Sequence, residues 1–114
     1  MISLAPGMRV FVFNQHTDMR KSFNGLSGLV ALHFQVELLS GHLFLFFNRR
    51  RDRVKLLHWD RDGLAIWYKR LESGSFQILT SANDSLEIDQ TDLSLLLAGV
   101  DLNSAKRRKR YKIA

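Results

Sequence analysis

Basic side chains that could bind phosphate groups are concentrated in the middle of the sequence. Between residues 49 and 70 there are eight basic residues and three acidic ones. The basic ones are Arg49, Arg50, Arg51, Arg53, Lys55, Arg61, Lys69 and Arg70. Arginine predominates, and its planar guanidinium group can form two parallel hydrogen bonds with one phosphate or carboxylate. All of these residues except Arg61 are predicted to bind an anionic partner, nucleic acid in particular.

A second basic cluster lies near the C-terminal end, and its members are Lys106, Arg107, Arg108, Lys109, Arg110 and Lys112. Residues 1–105 contain eleven basic and eleven acidic side chains, so this cluster accounts for the net charge of +6. Such a run is typical of an arm that neutralises phosphates without reading base sequence. We expect a single domain over residues 1–103 and a flexible basic tail over 104–114. A solubilising terminus, or an arm docked on the acidic segment 72–101, is the alternative.

Patterns that would indicate catalysis are weak. The four histidines show neither an HExxH motif nor close pairing with a carboxylate, so they predict no metal site. Asp60 and Asp62 could be the paired carboxylates of a metal-dependent nuclease, but turn chemistry fully explains an Asp-rich turn. No serine lies in a nucleophile elbow, and no glycine-rich phosphate loop is present. We therefore expect no enzymatic activity, no cofactor and no metal.

The basic stretch lies among segments that predict β-strands. Apolar runs bounded by turn residues predict strands at residues 8–13, 42–47, 54–59, 64–71 and 76–79, with a polar connector over 80–87. A tight turn at residues 60–63 would make the third and fourth strands antiparallel neighbours.

The hairpin pairing that follows from this turn places Arg53 opposite Arg70 and Lys55 opposite Tyr68. Like charges in directly opposite positions are destabilising unless solvent or an anion lies between them. Seven basic side chains and an aromatic ring would then share one edge of the sheet, which is typical of a nucleic-acid surface. A solvated hairpin tip that protects edge strands from aggregation is the alternative interpretation.

Two helices are predicted. The first spans residues 19–34, follows a capping Thr17 or Asp18, and contains two glycines that either pack closely on the sheet or admit a partner backbone. The second is capped by Asp89 and ends at Gly99. The predicted fold class is α+β: one small domain with an antiparallel sheet of about four to five strands and two helices.

Composition agrees with an ordinary globular domain. The chain has 114 residues, 46% of them hydrophobic, with one proline and no cysteine. This length is enough for one core and too short for two. The absence of cysteine fits a reducing compartment, and the opening MISLAPGMRVFVFNQ lacks the pattern of a signal peptide. We expect a cytoplasmic protein that does not enter a membrane.

Four motifs carry a resemblance to a known family: PGMRVFV, TDMRKSFNGLSGLV, SGHLFLFFNRRRDRVKLLHWDRDGLAIWYKRLESGSF and IDQTDLSLLLAGVDL. Over residues 2–102 the chain closely resembles the TnpB accessory proteins, the "Orf two" products, of insertion sequences of the IS sixty-six class. Asn48 and Arg51 depart from the family pattern because they stand where glycine is expected.

The residues that fall on the family's motifs are Asp18, Met19, Arg20, Lys21, Phe23, Gly25, Ser40, Gly41, His42, Asp52, Arg53, Lys55, Asp60, Asp62, Gly63, Lys69, Arg70 and Leu71. The resemblance implies an accessory role in transposition beside a separate transposase that carries the catalytic acids. Two hypotheses follow for the direct partner. The arginine-rich edge and the tail bind element-end DNA, or the chain docks on the transposase and regulates it without binding DNA by itself.

Overall fold

The computed structural model describes residues 5–78 and 83–99. The elements in chain order are β1 (Val10–His16), α1 (Phe23–His33), a single 3-10 turn (Leu38–Ser40), β2 (Leu43–Phe47), β3 (Arg53–Asp60), β4 (Gly63–Arg70), β5 (Ser85–Ile88) and α2 (Gln90–Leu97). The basic tail lies outside the described residues. None of the described helices has the length and apolar character needed to cross a membrane.

The five strands form one sheet in the order β4-β3-β2-β1-β5. This confirms the predicted α+β fold, with five strands and two helices. One detail of the prediction is wrong, because β1 and β2 are parallel while the other neighbouring pairs are antiparallel. The reason is the connection through α1, which carries the chain back to the starting end of the sheet before β2 begins.

Both faces of the sheet are covered by apolar side chains. Phe11, Phe44 and Leu57 point to the face that packs on Leu26 and Val30 of α1. The opposite face packs on α2, and its core contains Val10, Val12, Leu43, Leu45, Phe47, Val54, Leu56, Leu93, Leu96 and Leu97. All five residues of β2 are buried, as expected for a central strand covered on both sides.

The predicted hairpin register is confirmed. Arg53 pairs with Arg70 and Lys55 with Tyr68 across β3 and β4. The turn itself differs in detail from an Asp-Gly turn, because Asp60 pairs with Gly63 and the residue with positive φ is Arg61, at 56°.

The fifth strand lies at a different place from the one predicted. Residues 76–78 form no strand, although Phe76 and Ile78 are buried in the core beside α2. Residues 85–88, which lie largely in the predicted connector, pair instead with β1. They do so because Leu86 and Ile88 alternate with polar residues and add to the apolar face, while Glu87 binds Arg9 on the other side.

The first helix begins four residues later than predicted, at Phe23. Neither Thr17 nor Asp18 caps it, because its N-cap residue is Ser22. A Cβ atom added at Gly28 would meet no atom within 4 Å, so close packing on the sheet does not explain that glycine. The second helix agrees with its prediction: the Asp89 carboxylate accepts a hydrogen bond of 2.7 Å from the Asp92 amide, and Gly99, with φ of +83°, follows the helix end.

Candidate nucleic-acid interface

The central arginines lie on a turn that is held by hydrogen bonds. This arginine turn, residues 48–53, connects β2 to β3. The Asn48 side chain donates to the Asp52 carboxylate at 2.6 Å and accepts from the Arg53 amide at 3.0 Å. The Arg51 and Asp52 carbonyl oxygens accept from the amides of Phe76 and Leu71. The turn is therefore fixed by its own side chains and by the chain that follows β4.

The turn also contains a backbone conformation that glycine favours. Arg51 has φ of 58°, in the left-handed region, where a residue with a Cβ atom pays a steric cost. A glycine at this position would adopt the same conformation without that cost. Arg49 and Arg50 are exposed, and Nη2 of Arg49 lies 3.3 Å from Nε2 of His16 at the end of β1.

Arg53 and Arg70 form the second part of the site. They are opposite neighbours on β3 and β4, so their side chains share the face of the sheet on which α1 lies. Arg53 donates a hydrogen bond of 3.3 Å to the Tyr68 hydroxyl. Arg70 makes one ion pair of 3.5 Å with Glu72, whose side chain is 88% exposed. Two guanidinium groups therefore lie on opposite positions of neighbouring strands. The carboxylate paired with one of them, that of Glu72, is largely exposed to solvent.

Two lysines that were predicted to share this edge lie elsewhere. Lys55 is buried, and its ammonium donates to the carbonyl oxygens of Met19 and Lys21 at 2.8 and 2.7 Å. Lys69 points to the opposite face, because side chains alternate along β4, and donates to the Leu97 carbonyl at 3.1 Å. The expectation of seven basic side chains on one exposed edge is therefore corrected, and five arginines remain at this end.

The loop before α1 contributes basic residues that lie on the family's motifs but were not predicted to bind the anionic partner. Because Thr17 donates its amide to the Phe47 carbonyl at 2.7 Å, the loop over residues 17–22 lies at the same end of the sheet as the arginine turn. It carries Arg20 and Lys21. The TDMRK motif contains both residues, but the predicted helix over residues 19–34 gave no indication that they lie beside the arginine turn.

Carboxylates at this end are few and already engaged. The Asp18 carboxylate binds Arg20 at 2.7 Å, and hydrogen bonds from this arginine lower the pKa of Asp18 to about 2. The hydrogen bond from Asn48 lowers the pKa of Asp52 from its ordinary value. Both groups therefore remain charged at neutral pH.

We call this end of the sheet the arginine end, and positive charge predominates there. Its seven basic residues are Arg20, Lys21, Arg49, Arg50, Arg51, Arg53 and Arg70, against the three acids Asp18, Asp52 and Glu72. Within the described residues, the four guanidinium groups of the arginine turn form no ion pair. A surface with this excess of unpaired guanidinium groups is suited to binding phosphates.

The paired carboxylates considered for metal chemistry lie at the other end of the sheet. Asp60 is the last residue of β3 and Asp62 lies in the β3–β4 turn, and Nε of Arg61 lies 3.8 Å from Oδ1 of Asp60. Across the described ranges, no three histidine, aspartate or glutamate side chains come together in a way that could hold a metal ion. His42 and His58 lie on opposite faces of the sheet, since His42 packs against Phe11 and His58 follows Leu56 by two residues.

The fold and this surface define a small α+β protein with both sheet faces covered and a cationic end. The family model for the IS66 Orf2 like protein matches residues 8–107. The chain therefore belongs to the IS66 Orf2-like family, and this membership indicates an accessory role in transposition of IS66-type insertion sequences.

Two curated relatives come from Sinorhizobium fredii (strain NBRC 101917 / NGR234), and both are described as uncharacterized. The protein y4jC is 34% identical over 108 residues, covering 95% of this chain and 92% of its own. The protein y4hO is 32% identical over 101 residues, covering 89% of this chain and 88% of its own. No solved structure matches this chain.

Proposed function

We propose that this protein is a non-catalytic cytoplasmic accessory factor that binds the DNA ends of its insertion sequence through the arginine end, and that the tail over residues 104–114 adds contacts to phosphates. The observation that carries the proposal is the concentration of guanidinium groups at one end of a rigid sheet, with few carboxylates to neutralise them. The partners expected are element-end DNA and the cognate transposase.

The architecture supports phosphate binding in two ways. The arginine turn is fixed by internal hydrogen bonds, so its side chains extend from a backbone that need not reorganise on binding. Arg53 and Arg70 repel each other across the strands, and a phosphate between them would relieve this repulsion. Neither feature selects a base sequence, so we expect contacts that position DNA rather than read it.

A second candidate function is docking on the transposase without direct DNA binding. One observation favours it: Leu32 in the last turn of α1 and Leu39 in the 3-10 turn are 76% and 63% exposed. Exposed leucines are common singly, but apolar side chains exposed at neighbouring elements are typical of protein contact surfaces. On this hypothesis the isolated protein would bind DNA feebly.

Titration of labelled terminal-repeat duplex at several salt concentrations tests the proposal. We expect affinity to fall steeply with salt, by about 0.9 logarithmic units per tenfold change for each phosphate neutralised. The double variant Arg50→Ala with Arg53→Ala should bind more weakly and lower this slope by about two. A chain truncated after Asn103 measures the share contributed by the tail.

The matched control is Arg61→Asn, which removes one arginine charge at the opposite end of the sheet. Asparagine tolerates the positive φ found at this position. We expect its DNA affinity to equal that of the unaltered chain. Weak, salt-insensitive binding that the arginine double variant leaves unchanged would instead support docking on the transposase.

A further inference from the structure

Tyr68 is an exposed aromatic ring within the arginine end, with 47% of its surface accessible. The ring is held at two points, because Arg53 donates to its hydroxyl at 3.3 Å and the Lys55 ammonium lies 4.9 Å from its centroid. Lys55 is fixed in turn by the Met19 and Lys21 carbonyl oxygens. A ring that is already positioned loses little conformational freedom when a ligand packs on it.

The two faces of the ring differ in their surroundings. Lys55 lies directly opposite Tyr68 on β3, and its ammonium lies over one face of the ring. Because β4 is an edge strand, no further strand lies on the other side. The other face lies away from Lys55, and the exposure of Tyr68 on an edge strand leaves room for a flat group to stack on it.

A hollow of about 400 Å³ lies at this ring and is lined by Arg53, Tyr68, Arg70 and Glu72. Its volume is in the range of sites that hold small ligands. Two guanidinium groups can bind phosphate oxygens, and an aromatic face can stack on a base. An acidic peptide could also bind the arginines, but its carboxylate side chains do not stack on an aromatic ring, whereas a nucleotide carries phosphate and base together. The combination of ring and arginines favours a nucleotide.

We propose that this hollow binds an unpaired nucleotide of a DNA strand, with its base stacked on Tyr68 and the adjoining phosphates bound by Arg53 and Arg70. The inference rests on the proposed function and makes it more specific. A base inside a duplex is already stacked between its neighbours and must leave the stack, at a cost of about a few kcal/mol, before it can lie flat on a protein ring. The preferred partner is thus single-stranded DNA or a duplex end with unpaired nucleotides.

The experiment compares three labelled probes of the same sequence with the full-length protein: a blunt duplex, a duplex with a short unpaired overhang, and the single strand. We expect the overhang duplex to bind about fivefold more tightly than the blunt duplex, or better, since one stacked base contributes that much. Tyr68→Ala should reduce this ratio to about one. Tyr68→Phe, which keeps the ring, should retain it, and Arg61→Asn serves as the unaffected control.

A second measurement identifies the contact directly. With 5-iododeoxyuridine in the overhang, irradiation should cross-link the probe to Tyr68, and mass spectrometry of the digested adduct would locate it. Because the ring is half-exposed on an edge strand, we expect Tyr68→Ala to fold, and thermal unfolding of each variant checks this.

The possible failures are distinguishable. Equal binding of blunt and overhang duplexes, or an equal loss on every probe in Tyr68→Ala, would overturn the nucleotide site while leaving duplex binding by the arginines intact. Absence of binding to every probe would overturn the nucleotide site and the proposed function together. Tyr68-dependent binding of a polyglutamate peptide in preference to the overhang would overturn the inference in favour of a protein partner.

Discussion

Arg53 and Arg70 lie directly opposite each other on adjacent antiparallel strands, with no carboxylate of the described residues bound to Arg53. Such a like-charge pair does not favour strand association. Arg70 has only an exposed glutamate at 3.5 Å, and Arg53 bonds to a neutral hydroxyl. The pair does not add to stability, and its repulsion must be offset by solvent or by the phosphate proposed to bind there.

Replacing Arg53 by threonine should separate stability from binding. Threonine suits a strand and removes the repulsion, so the free energy of unfolding should stay unchanged or rise by up to about 0.5 kcal/mol. Affinity for DNA should fall at the same time. Urea unfolding and fluorescence anisotropy measure the two effects, and Arg70→Thr should behave alike. A stability loss above about 1 kcal/mol would show that the fold needs the pair.

Lys55 should behave in the opposite way. Lys55→Met keeps most of the buried aliphatic chain but leaves the carbonyl oxygens of Met19 and Lys21 without their donor. We expect a loss of about 1–3 kcal/mol in the free energy of unfolding. Lys69→Met, which removes one hydrogen bond to Leu97, should cost less. Urea unfolding compares the two variants, and equal losses would contradict the anchoring role of Lys55.

Because Arg51 has a positive φ, substitution by glycine should change the free energy of unfolding in opposite directions at Arg51 and at its neighbour Arg50. Arg51→Gly relieves the left-handed conformation and should raise the free energy of unfolding by up to about 1 kcal/mol. Arg50→Gly makes the same charge change at a residue with ordinary φ, and should lower it by about 0.4–1 kcal/mol through the greater freedom of the unfolded chain. Thermal unfolding of both variants tests this, and destabilisation by Arg51→Gly would refute it.

The hairpin could be read from the sequence because strand alternation and a short turn are local signals. They fixed the partners of Arg53 and Lys55 correctly. The same alternation, followed one residue further, would also have placed Lys69 on the face opposite Arg70. The environment of Lys55 could not be read in this way, since its carbonyl partners lie 34 and 36 residues earlier in the chain.

Two errors in the predicted fold have the same physical origin. The parallel pairing of β1 with β2 depends on where α1 returns the chain, and nothing local to either strand encodes it. The short strand β5 contains two polar residues in four and forms because β1 offers an open edge. The apolar spacing of Phe76 and Ile78 correctly indicated burial, but burial was satisfied without sheet pairing.

The Asp18–Arg20 pair gives a prediction that links pH, charge and binding. The pKa of Asp18, lowered by Arg20 to about 2, should return toward its ordinary value of 3.8 in Arg20→Ala, as measured by carboxyl resonances in an NMR titration. Because the pKa is lower in the folded chain than in the unfolded one, the pair stabilises the fold above about pH 4 and ceases to do so as the pH falls toward 2. Both side chains are substantially exposed, so the effect on stability should be small.

At neutral pH the same carboxylate neutralises Arg20 beside the arginine turn. Asp18→Asn would free this guanidinium group, so DNA affinity at low salt should increase and the salt dependence should steepen by about 0.9. Arg20→Ala should weaken binding, because it leaves the Asp18 carboxylate unpaired at the interface, where it repels the phosphates. An unchanged salt dependence in Asp18→Asn would show that Arg20 does not face the DNA and would restrict the interface to the arginine turn and Arg70.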